Sequence, residues 1–159
     1  MIAEDMAGLP SEIAAAIARA DMLVDYRPDT TSFCWSELGV SILNNITGVA
    51  QDYHFPSDEQ LASAMDTALS TLDPGKLGES LHTIQDSFSH FGFKDNHVAA
   101  TVGSKFSQKV KNPDDPKSNI NSAADMAMLT LDILRAYRIR LQIQKALTAI
   151  ASALFAVRI

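Results

Sequence analysis

Cysteine occurs once in the 159 residues, at Cys34, so an internal disulfide and a four-cysteine zinc site are both excluded. That lone thiol leaves the redox compartment open. Basic residues are the minority, thirteen against nineteen acids, for a net charge of −6. A uniformly basic nucleic-acid coat is therefore excluded, although a local basic patch is not. The first twenty residues lack a basic start followed by an apolar run, so no signal peptide is visible. No apolar run reaches the roughly 18 residues that a membrane helix needs. Also missing are internal repeats, strongly alternating strand patterns, a Gly-x-Ser-x-Gly elbow, a phosphate-cradling glycine loop and a His-Glu-x-x-His pair. What is present, 47% hydrophobic and 20% charged residues, reads as one globular domain over 1–159.

The charge is uneven. Residues 1–93 hold fourteen acids against Arg19, Arg27 and Lys76, whereas 94–159 hold ten bases and five acids. The boundary falls just after the densest cluster of histidine and aspartate, so a site there sits where the two signs meet.

Periodicity predicts helices nearly throughout, and hence an all-α bundle. Pro10-Ser11 opens the first, with Ile13, Ile17 and Val24 near one stripe, and Arg27-Pro28-Asp29 breaks it. A second is expected over about 36–53, from Leu38, Ile42, Ile46, Val49 and Tyr53. Pro56-Ser57 opens a third, with Ser57 and Gln60 in capping-box relation, and Asp73-Pro74-Gly75 ends it as a turn. A fourth is expected over about 76–91, closed by Gly92. Residues 93–120 read as a long loop with one short helix, and loops of that length in compact domains are usually functional or mobile. From Ser122 the pattern is helical again, as one bent or two consecutive helices. The stretch 146–157 is apolar almost all round and reads as a buried core helix, with lipid or a partner chain as the alternative.

The informative segment is 82–90, His-Thr-Ile-Gln-Asp-Ser-Phe-Ser-His. His82, Asp86 and His90 stand at four-residue steps, each advancing about 40°, so they share one helix face. Ile84, Phe88 and Phe91 take the other side. Imidazole nitrogen and carboxylate oxygen are the ligand pair of catalytic zinc, and a carboxylate between two histidines can bridge two ions. A solvated polar face, or a His–Asp pair bonded within the core, would give the same spacing. Ser89 beside His90 is no nucleophile–base pair, because neighbours one apart on a helix do not face each other. Cys34 has no histidine near it in sequence and reads as a small buried residue.

The run from Leu77 through Gly78, Leu81, His82, Gln85 and Asp86 to Ser89-His90 resembles the "LGxxLHxxQDxxSH" helix of the zinc-dependent phospholipase C and P1 nuclease superfamily. The match is close over about fourteen residues, and looser in order and spacing from Asp25 to Asp125. The resemblance implies an all-helical fold with zinc in a cleft between helices, and hydrolysis of phosphodiesters in phospholipids or nucleic acids. It implies metal ligands at Asp25, His54, His82 and Asp86, with Asp21 as competitor to Asp25. His90 and His97 are candidates for a second ion bridged by Asp86, and Asp125 is a candidate for a further carboxylate. The family's histidine four residues before that carboxylate is Asn121 here, and its N-terminal tryptophan ligand has no counterpart, since the only Trp is Trp35. One or two zinc ions are expected rather than three.

In this reading His82 and Asp86 carry the catalysis, Asp86 orienting or bridging the attacking water. Lys94, Lys105, Lys109, Lys111 and Lys117 then attract the anionic substrate, or are simply a solvated loop. The resemblance extends to family members found as C-terminal toxin domains of larger secreted proteins. It implies a cognate inhibitor protein as partner, transient membrane contact if the substrate is lipid, and secretion by a leaderless route. The short chain without a leader is expected to be such an excised piece. The rival reading is a non-catalytic helical interaction module in which the His/Asp helix is a structural metal staple or has lost its metal.

Overall fold

A computed structural model describes residues 2–26, 56–89 and 120–156, and these are helical, with no strand among the described residues. The all-α expectation is met. A π-helical turn, Ile2–Met6, leads into α1 (Ser11–Tyr26). Then come α2 (Asp58–Ser70), α3 (Pro74–Ser89) and α4 (Ile120–Ala156). The helix expected over 36–53 and the loop over 93–120 lie outside the described residues, apart from Ile120, which opens α4.

Local chemistry sets the helix ends. Gly8 takes a φ of +66°, which turns the chain after the π-helical turn while Gly8 N donates to the Glu4 carbonyl and Leu9 N to that of Ala3. Ser57 caps α2 as a full capping box: the Gln60 amide N donates to Ser57 Oγ at 3.3 Å, and Ser57 N donates to Gln60 Oε1 at 2.8 Å. The Asp73-Pro74-Gly75 turn corrects the expected start of the next helix. Asp73 Oδ1 accepts from Gly75 N at 2.7 Å and Lys76 N at 3.2 Å, so α3 begins at Pro74, where the missing N–H costs no hydrogen bond.

The most extensive contact is between α1 and α3, and α3 also packs on α2 and α4. The core is Ala14 and Ile17 from α1, Ala68 from α2, Leu77, Leu81 and Ile84 from α3, and Ile133, Leu134 and Tyr137 from α4. Ala3, Ala7 and Leu9 extend it. Three polar side chains bind α4 to its neighbours. The fully buried Tyr137 donates its hydroxyl to the Leu72 carbonyl at 2.9 Å, and Arg140 Nη2 donates to that of Ala68 at 2.9 Å in the last turn of α2. Arg138 Nη1 reaches the Ala7 carbonyl at 3.0 Å.

One expectation for the C-terminal third is corrected. Residues 120–156 form a single 37-residue helix, one of the two forms expected. Its second half is no core helix: every residue of 146–156 is exposed, Ile150, Leu154 and Phe155 included. The reason is geometric. At 1.5 Å per residue α4 is about 55 Å long, well beyond the reach of the shorter helices packed on its first half.

Candidate functional site

Glycine 78 makes the site possible. A Cβ at that position would run into the Ile17 carbonyl oxygen and stand 2.7 Å from Ala20 Cβ and 2.9 Å from Asp21 N. Only a glycine lets α3 approach the backbone of α1 this closely, opposite a stretch of α1 that is rich in alanine. From that contact the two helices advance together. Ile17 lies against Gly78, and one turn on in each helix Asp21 lies against His82. Asp25, a turn further, reaches the same imidazole. The helices therefore run parallel, with their C-terminal ends on the same side.

His82 is the centre of the cluster, its side chain only 7% exposed. Nδ1 lies 3.3 Å from Asp21 Oδ1. On the other side of the ring, Nε2 lies 3.2 Å from Asp86 Oδ2 and 3.5 Å from Asp25 Oδ1. Asp86 is largely covered, at 14% exposure, whereas Asp25 is open to solvent at 54%. Burial acts against protonation of His82, but hydrogen bonds to Asp21 and Asp86 and the charges of Asp86 and Asp25 outweigh it, and its pKa is raised to about 10. The metal-free site is thus an imidazolium enclosed by three carboxylates.

Three carboxylates thus converge on one imidazole, and the corner calls for a cation.

Of the residues expected from sequence, the structure brings together Asp25, His82 and Asp86. It also brings Asp21, the competitor to Asp25, and separates the two by placing them on opposite ring nitrogens. His54, His90, His97 and the five loop lysines lie outside the described residues. Asp125 is exposed in the second turn of α4. Among the described residues no three His, Cys, Asp or Glu side chains are disposed to hold a metal ion.

Sequence reasoning overlooked Gly78 as the packing device. A glycine inside an otherwise regular helical pattern was the available signal, since such a residue costs roughly 1 kcal/mol against alanine unless packing needs it. It also overlooked a polar cleft of about 400 Å³ between α2 and α3, lined by Gln60, Ser63, Thr67, Glu79, Ser80 and Thr83. Gln85 fixes the far side of α3, donating to Thr130 Oγ1 at 3.3 Å on α4.

Comparison with protein-family models, with curated proteins and with solved structures finds no match to this chain. None of the described helices is long and apolar enough to cross a membrane.

Proposed function

We propose that the chain is a single-domain, zinc-dependent phosphodiester hydrolase whose metal is held in the cleft between α1 and α3. The observation that carries this reading is the corner at His82, where three aspartates surround one buried imidazole. The donor chemistry fits zinc. Imidazole nitrogen and carboxylate oxygen are the ligand types of zinc, and His82, Asp25 and Asp86 supply them, although their disposition alone would not hold an ion. These three fall short of a complete site, and the remaining ligands are proposed from His54, His90 and His97, for one or two ions in all.

Each residue then has a task. His82 binds through Nε2, while Asp21 accepts from Nδ1–H and so fixes the tautomer and the ring orientation. Asp25 and Asp86 supply carboxylate oxygens, and Asp86 also orients the attacking water. A bound zinc supplies Lewis acidity, neutralising charge on the phosphodiester and acidifying water. The lysines of 94–117 draw the anionic substrate toward it. Within this reading the chain acts as the toxin domain of a larger secreted protein, with an inhibitor protein as its partner.

The rival, a non-catalytic interaction module, draws on one observation: a buried imidazolium ion-paired to three aspartates also serves as a staple between α1 and α3. A zinc-supplemented assay on phosphatidylcholine vesicles and single-stranded DNA, side by side, separates the two. The hydrolase reading expects cleavage of one substrate and a drop of about 10²-fold or more in Asp86→Asn. Cleavage of neither, or equal rates in the variant, supports the module.

A further inference from the structure

The second half of α4 carries an apolar stripe that none of the other described elements covers. Ile139, Ile143, Leu147, Ile150 and Leu154 follow one another at steps of four, four, three and four residues. At 100° per residue they fall within an arc of about 80°. Each is more than half exposed.

This stripe is no continuation of the core seam. The buried face of α4 is Thr130, Ile133, Leu134 and Tyr137, and its centre lies about 130° around the helix from the stripe. In the second half, the direction of the core seam is instead occupied by Gln144, Thr148 and Ser152. Thr148 donates its hydroxyl to the Gln144 carbonyl at 2.9 Å, and Ser152 donates to that of Thr148 at 3.0 Å. Polar groups thus stand where the domain's own core would be extended, and apolar ones where it is not.

We propose that this face is a homodimer interface, with the second half of α4 pairing antiparallel to its counterpart in a second copy. Three features support that occupant. The stripe is self-complementary about Leu147: a two-fold axis there sets Ile139 against Leu154 and Ile143 against Ile150, with Leu147 against itself. No charged residue occurs in 146–156, and Arg140 at the edge of the stripe already donates to the Ala68 carbonyl, so docking desolvates no unpaired charge. Covering five half-exposed aliphatic side chains in each of two copies removes on the order of 1,000 Å², the lower range of specific interfaces.

The test is the mass of the full chain in solution at micromolar concentration, by light scattering after size exclusion. The expected mass is twice that of one chain, returning to one chain in Leu147→Glu with helicity and melting retained, since Leu147 lies outside the core. In a Cys34→Ser background, Leu147→Cys is expected to form an intermolecular disulfide and Leu154→Cys is not. A monomeric wild type overturns the proposal, whether its stripe is bare, covered by another part of the chain or bound to vesicles. So does a dimer that Leu147→Glu leaves intact, or one in which Leu154→Cys cross-links as readily as Leu147→Cys. None of these outcomes depends on hydrolysis or zinc.

Discussion

Asp21 Oδ1 lies 3.3 Å from Nδ1 of His82, on the ring edge opposite the one that faces Asp25 and Asp86. Two aspartates one turn apart on the same helix thus meet different nitrogens of one imidazole. Asp21 meets Nδ1 and Asp25 meets Nε2; in the proposed zinc site the first orients the ring and the second is a ligand.

That division predicts unequal zinc affinities. Asp21→Asn is expected to weaken zinc binding by about 10–100-fold, the usual effect of disturbing a histidine's outer partner. Asp86→Asn, which alters a proposed ligand, is expected to weaken it further. Titration calorimetry on the full chain measures both, and equal losses would contradict the separate roles.

Gly78→Ala tests the packing that creates the site, and two effects of opposite sign compete. In an exposed helix interior the substitution would stabilise by about 1 kcal/mol. Here the new methyl meets the Ile17 carbonyl, Ala20 and the Asp21 backbone, and overpacking of that kind costs roughly 1–3 kcal/mol. Because the obstacle is backbone, the clash is expected to win. A lower denaturation midpoint confirms it, and a raised one would show that α1 and α3 do not pack as described.

Much of the fold was legible from local chemistry. The Pro10-Ser11 start of α1 and the Ser57–Gln60 box of α2 are short-range signals, and both stand in the structure. The shared face of His82 and Asp86 follows from helix period alone, and their side chains meet at 3.2 Å. The parallel run of α1 beside α3 was not legible, because it depends on Gly78 meeting a particular carbonyl far away in sequence. Nor could sequence assign Asp21 and Asp25 to different nitrogens, since both lie on the same face of α1. The exposure of 146–156 was misread for a related reason. An apolar composition says that a helix wants cover, and does not say whether its own domain reaches it.

The metal-free protein should show an unusual pH dependence. His82 has a folded-state pKa of about 10 against about 6.5 when unfolded. Its contribution to stability is therefore fully present below pH 6.5 and is lost as pH rises through 10. In chelator, the difference in denaturation midpoint between wild type and His82→Gln is expected to shrink steadily across that window. A difference that grew with pH would mean that burial, not the three carboxylates, governs the imidazole.

Tyr137→Phe isolates one tether of α4. It keeps the buried ring and removes the hydroxyl that donates to the Leu72 carbonyl, so a loss of about 0.5–1.5 kcal/mol is expected in chemical denaturation. No loss would show that the bond contributes nothing to holding α4 against the end of α2.

The central claim is that the cation demanded at His82 is a metal ion. Its most direct test is titration of zinc into the chelator-stripped full chain, beside His82→Ala. The account predicts one or two zinc ions bound tightly by the wild type, with at least one lost in the variant. A wild type that takes up no zinc, or a variant that binds it equally well, would contradict it.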